Sequence, residues 1–224
     1  MEWVCTLGAD VFGQGTLGGA PVRAAAAGWC SSYMVTGAGD LCAAGWQPRP
    51  LAQLAGDAVP LLAAAWDVVC YAQGARLGAV RGVHEADAPT CTEWPMPAAV
   101  TGLACTEHVV VAALADGSAM WCGQPARMLQ AEDDARDFIP ALPVPRRLDI
   151  PVAVAQVACG KLHACLRSTA GEVLMLGHNA HGQLGLCSTE PARSPVFVEA
   201  LQVRAEKGGE KEEEEGGGGG AGGE

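Results

Sequence analysis

Short apolar runs separated by glycines set the rhythm of this chain. Val109 to Leu114 and Met120 to Cys122 are apolar and partly β-branched, and the tight-turn dipeptide Asp116-Gly117 divides them. The same alternation recurs at 157–185. Val157-Ala158-Cys159-Gly160-Lys161-Leu162-His163 is followed by Gly171-Glu172-Val173-Leu174-Met175-Leu176-Gly177, then by Asn179-Ala180-His181-Gly182-Gln183-Leu184-Gly185. Runs this short, bounded by glycine, predict strands buried on both faces rather than surface strands with a clean period of two. The turns need positive φ, which glycine adopts without a Cβ clash. The pattern reads as strand, glycine turn, strand, second glycine-rich turn.

The pattern repeats. Residues 103–123 match 157–177 at an offset of 54, placing Cys105 on Cys159, Gly117 on Gly171 and Gly123 on Gly177. Residues 26–45 match at an offset of 132, placing Gly28 on Gly160, Gly39 on Gly171 and Gly45 on Gly177. At an offset of 169 the N-terminus repeats only the close, with Gly8 on Gly177 and Gly13-Gln14 on Gly182-Gln183. A degraded copy spans 61–82, its glycines Gly74 and Gly82 eight apart instead of six. Units of this kind cannot bury their apolar faces alone, so they stack. An ordinary antiparallel sandwich is the alternative, but it does not require glycines at fixed offsets.

On these residues the chain resembles the regulator of chromosome condensation repeat family. Ala158, Cys159, Gly160, His163, Gly171, Gly177, Asn179, Gly182, Gln183, Leu184 and Gly185 fit its repeat. The tryptophan that the family places before the exit glycine is Leu176, Cys122, Ala44 and Leu7 here. The resemblance implies an all-β fold, a β-propeller whose family ring has seven blades. About 200 residues precede the tail, enough for three or four four-stranded blades. The expected architecture is therefore a partial propeller over 1–205, degenerate up to 125, with an insertion at 124–150 and its best repeat at 151–200. The resemblance also implies that His163 packs and hydrogen-bonds within its blade. Cys159, Gly160, His163, Gly171, Gly177, Asn179, Gly182, Gln183, Leu184 and Gly185 are expected to build blades.

Composition adds a tail and a charge. Residues 206–224 hold seven Glu, two Lys and nine Gly. Such a segment buries too little to offset its ordering entropy and is expected to be disordered. The net charge of −11 argues against direct binding of nucleic-acid phosphates and for a basic, histone-like partner. Within the insertion, the acidic cluster Glu132, Asp133, Asp134, Arg136 and Asp137 precedes Pro140, Pro143 and Pro145. It reads as an exposed loop and a candidate partner contact.

Candidate chemistry changes this little. Ten cysteines include no Cys-x-x-Cys pair, several fall inside strand runs, and no secretory signal opens the chain. That reads as free thiols in a reducing nuclear or cytoplasmic compartment. The run Leu61 to Tyr71 is too short to span a bilayer. His178 and His181 lack a third metal ligand in reach, and Gly182-Gln183-Leu184-Gly185 lacks the lysine of a phosphate loop. No catalytic residue, cofactor or metal is expected. Two functions follow: a non-enzymatic module binding a nuclear or chromatin-linked protein, or, through the family's founder, a guanine-nucleotide exchange factor for a small GTPase. A truncated fragment without independent function is the third reading.

Overall fold

The computed structural model describes residues 22–28, 31–44, 49–56, 60–65, 68–82, 89–129 and 143–201. These residues are all-β, with two single 3-10 turns at 127–129 and 199–201 and no α-helix among them. Sixteen strands form four sheets of four. Blade A is β1 (Val22–Ala27), β2 (Ser32–Thr36), β3 (Asp40–Ala44) and β4 (Arg49–Gln53). Blade B is β5 (Leu61–Ala64), β6 (Val68–Gln73), β7 (Arg76–Arg81) and β8 (Thr90–Pro95). Blade C is β9 (Val100–Cys105), β10 (Val109–Leu114), β11 (Ala119–Gly123) and β12 (Arg146–Arg147). Blade D is β13 (Val154–Cys159), β14 (His163–Ser168), β15 (Val173–Gly177) and β16 (Ala192–Phe197). Every sheet is an antiparallel meander. The first strands lie side by side, β1 against β5, β5 against β9 and β9 against β13, which sets the blades around a common axis.

Each pair of neighbouring blades shares one core. Tyr33, Val35 and Leu41 of blade A meet Val69, Tyr71 and Val80 of blade B. Cys70, Leu77 and Trp94 meet Val110, Leu114 and Cys122 between B and C. Val109 and Val111 meet Leu166, Leu174 and Leu176 between C and D. This explains strands that are apolar on both faces: all six residues of β10 are buried, because blade C is covered by B on one side and D on the other. Each fully buried Val or Leu among them contributes roughly 1.5–3 kcal/mol.

The degraded copy is a complete blade. The turn between first and second strands closes with the same backbone bond in all four blades: Gly28 to Ser31, Ala65 to Val68, Thr106 to Val109 and Gly160 to His163, at 2.8–2.9 Å. Blade B differs at its hairpin. Gln73 pairs with Arg76 around a two-residue loop that places Gly74 at φ 55°, while blade C spans 115–118 with Gly117 at φ 81°. The shorter loop moves the turn glycine one place earlier, and Gly82 lies one place past Arg81, which pairs with Val68 as Gly123 pairs with Val109, so the two glycines stand eight apart.

The stretch 124–150 is partly structural. Arg146 and Arg147 pair with Trp121 and Met120 as the fourth strand of blade C, and the Leu148 N–H donates to Ala119 at 2.8 Å. Met128 and Leu148 are buried in the C–D core. Thus both described ends belong to the blade. Glu132, Asp133, Asp134, Arg136 and Asp137 lie outside the described residues, as do the tail 206–224, Gly8 and Gly45.

Candidate functional site

The polar residues of the 157–185 signature are drawn together at the end of blade D. Asn179 is fully buried. Its Nδ2 donates to the carbonyls of Ser188 and Glu190, both at 2.9 Å, and its Oδ1 accepts the Leu184 N–H at 2.9 Å. One side chain thereby fastens both limbs of the loop 178–190. Gln183 Nε2 lies 2.9 Å from His178 Nδ1, and Gln183 Oε1 accepts the His181 N–H at 2.9 Å. Gly182 and Gly185 take φ of 73° and 66°, and Leu184 is buried between them. The His178 and His181 rings sit 6.3 Å apart, edge to face. No group of three or more metal-ligating side chains occurs among the described residues.

His163 caps Gly160. A Cβ at residue 160 would lie 2.8 Å from Nδ1 of that imidazole, closer than Cβ contacts come. Burial, then the neighbouring His178, holds the His163 pKa below its ordinary value. Gly177 and Gly123 mark the strand exits at φ 114° and 128°. There a Cβ would fall 2.8 Å from the Cα of His163 and of Val109 respectively. Gly171 takes φ 91° at the opposite, hairpin end.

Cys159 lines a concavity of about 320 Å³ at the axial ends of the first strands, with Ala65, Cys105, Glu107, Gly160 and Lys161. Burial pushes the Cys159 thiol well above the ordinary thiol range. A thiol held in its protonated form is a poor nucleophile.

One element of the repeat escaped the sequence reading. Thr36 and Asp40 in blade A, and Ser168 and Glu172 in blade D, close the hairpin by hydroxyl–carboxylate pairs at 3.4 and 3.0 Å. The hydroxyls also accept the N–H groups of Asp40 and Glu172, at 3.1 and 3.0 Å. Both pairs obey the offset of 132, so the signal was present in the sequence. Blade C uses Asp116 instead, which accepts the Ser118 N–H and hydroxyl at 2.9 and 2.6 Å.

Comparison with known proteins agrees with this geometry. The regulator of chromosome condensation (RCC1) repeat matches residues 154–183. The RCC1 domain-containing protein RUG3, mitochondrial, of Arabidopsis thaliana is 42% identical over 50 residues, 22% of this chain and 11% of that protein. The E3 ubiquitin-protein ligase highwire of Drosophila melanogaster is 35% identical over 77 residues, 34% of this chain and 2% of that protein. Among solved structures, Prp20p from Saccharomyces cerevisiae, described with its binding properties to Gsp1p and histones, superposes with a TM-score of 0.63 at 15% identity. That match covers 82% of this chain and 51% of Prp20p. Human WBSCR16 superposes with a TM-score of 0.58 at 17% identity, covering 79% and 52%. These two matches show the fold. The chain spans about half the length of those structures and a small part of the two sequence relatives.

Proposed function

We propose that this chain, a member of the regulator of chromosome condensation repeat family, is a non-enzymatic protein-interaction module. One observation carries the reading: the signature's polar groups are committed to one another. Asn179 spends its amide on three backbone groups, Gln183 bridges His178 and the His181 amide, and His163 covers a glycine. A scaffold so braced holds its blade-end loops rigidly, and rigidly held loops are where such folds bind. The partner we favour is a nuclear or chromatin-linked protein. The fold likeness to Prp20p, described with Gsp1p and histones, supports that choice.

The same likeness favours a second reading, guanine-nucleotide exchange on a small GTPase. Exchange needs no covalent chemistry, only tighter binding of the nucleotide-free GTPase than of the loaded one. The full chain added to a panel of GTPases loaded with a fluorescent nucleotide separates the two. Stable capture without accelerated release supports the module, and release well above background supports exchange.

A further inference from the structure

Thiols gather at the seam between blades B and C. Cys70 lies on β6, Cys105 ends β9 and Cys122 lies on β11, and all three belong to one apolar cluster. Two of them touch across the seam. The Cys70 and Cys105 side chains are hydrogen-bonded, one from each blade, where β6 packs against β9.

Their access to solvent differs. Cys70 is 0% exposed, whereas Cys105 is 9% exposed and lines the concavity of about 320 Å³ at the axial end. Ala64, Ala65 and Gly160 add no large side chain to that wall. A hollow of this size admits small polar molecules, since a water occupies only about 30 Å³. A small reagent therefore reaches Cys105 from the hollow, and Cys70 stands behind it. Such an arrangement, one reachable thiol backed by a second in contact, is that of an attacking and a resolving cysteine.

We propose that Cys105 and Cys70 form a peroxide-oxidisable pair that closes to a disulfide between blades B and C. The Cys105 sulfur takes one oxygen from hydrogen peroxide as the O–O bond breaks, giving a sulfenic acid and a water. The Cys70 sulfur then displaces that hydroxyl, which leaves with the Cys70 proton as a second water. Two thiols lose two electrons, and one peroxide becomes two waters. Burial and its hydrogen bond hold Cys70 protonated, so it carries the proton that the leaving hydroxyl needs. The new bond would tie the second strand of blade B to the first strand of blade C. At the hairpin end these blades are already joined by the Val100 N–H donating to the Gly74 carbonyl at 2.8 Å. The disulfide would fix the seam nearer its other end, beside the turns 65–68 and 106–109. The proposal goes beyond the interaction-module reading and does not depend on it.

The test treats the dilute full chain with millimolar hydrogen peroxide, blocks the remaining thiols with N-ethylmaleimide and maps the unreduced digest by mass. A peptide pair linked through Cys70 and Cys105 is expected, and dithiothreitol should release it. The oxidised monomer should melt about 5–15 °C higher, as expected for a bond closing a loop of about 35 residues. In Cys70→Ser the Cys105 sulfenic acid should persist and be trapped by dimedone. In Cys105→Ser, Cys70 should stay reduced. A Cys105 link to Cys159 or Cys122 instead overturns the proposal. So does the absence of any Cys70–Cys105 link once the exposed Cys91 is fully oxidised, a result that needs no variant. Oxidation of Cys70 in Cys105→Ser at the parent rate would overturn the route through the hollow.

Discussion

The His163 imidazole occupies the space that a side chain at Gly160 would need, with Nδ1 and Nε2 each 2.8 Å from a Cβ placed there. Gly160 has no left-handed φ, so its requirement is steric rather than conformational. Gly160→Ala is expected to destabilise the protein by about 1–3 kcal/mol. In a His163→Ala background the same change should be nearly neutral, a coupling of about 1 kcal/mol or more in a double-mutant cycle. Urea titrations of the four proteins measure it. An equal penalty in both backgrounds would remove the ring as its cause.

The exit and loop glycines separate two effects. Gly177 combines φ 114° with a backbone in the way of any Cβ, whereas Gly182 takes φ 73° with nothing within 4 Å. Gly182→Ala carries only the left-handed penalty, about 1 kcal/mol. Gly177→Ala carries overlap as well and is expected to lose about 3 kcal/mol. Gly123→Ala should resemble Gly177→Ala, since its Cβ meets Val109 in the equivalent place. Thermal melts of the three variants give the ranking.

Asn179 is the fastening of the blade D loop. Asn179→Asp keeps an acceptor for the Leu184 N–H but loses both donors to Ser188 and Glu190, placing a carboxylate against two carbonyls. A loss of about 2–4 kcal/mol is expected. Hydrogen exchange should quicken at the Leu184 amide while the strand amides of blade A keep their protection.

The sequence revealed the blades where glycine is obligatory and lost them where only backbone is used. Gly117, Gly171, Gly123 and Gly177 stand at fixed spacings because positive φ and close approach demand them. Ala65 holds the place of Gly160 unrecognised, since its turn is closed by a main-chain bond to Val68. β12 was hidden for a similar reason: Arg146 and Arg147 carry no apolar pattern and join the sheet at its outer edge.

Two histidines give the fold a pH dependence of definite sign. Burial is the first cause holding His108 and His163 below their ordinary 6.5, followed by nearby cations for His108 and by His178 for His163. At pH values between the folded and unfolded pKa the unfolded chain binds more protons. Their contribution to stability is therefore fully present above about pH 6.5 and is lost as pH falls through the folded values. Denaturant midpoints measured from pH 8 to pH 5 should fall below pH 6.5. A His108→Gln, His163→Gln protein should show a shallower slope there than the parent. An unchanged slope would assign the dependence to other groups.

The thiols report on the seam between blades B and C. Cys70, Cys105 and Cys122 are buried in that core, while Cys91 and Cys187 are exposed. Cys70 is raised well above the ordinary thiol range by its hydrogen bond with Cys105 and by burial, and burial pushes Cys122 up to about 12. Alkylation requires the thiolate, and at pH 9 a thiol of that pKa is about 0.1% ionised. Native alkylation mapped by peptide mass should modify Cys91 and Cys187 within minutes and leave Cys70 and Cys122 unmodified. Labelling of Cys70 and Cys122 should appear only as denaturant opens the B–C core, with a midpoint matching global unfolding. Labelling of Cys122 at the rate of Cys91 in native buffer would show that the seam opens on its own. The blades would then be separately mobile units, not one braced arc.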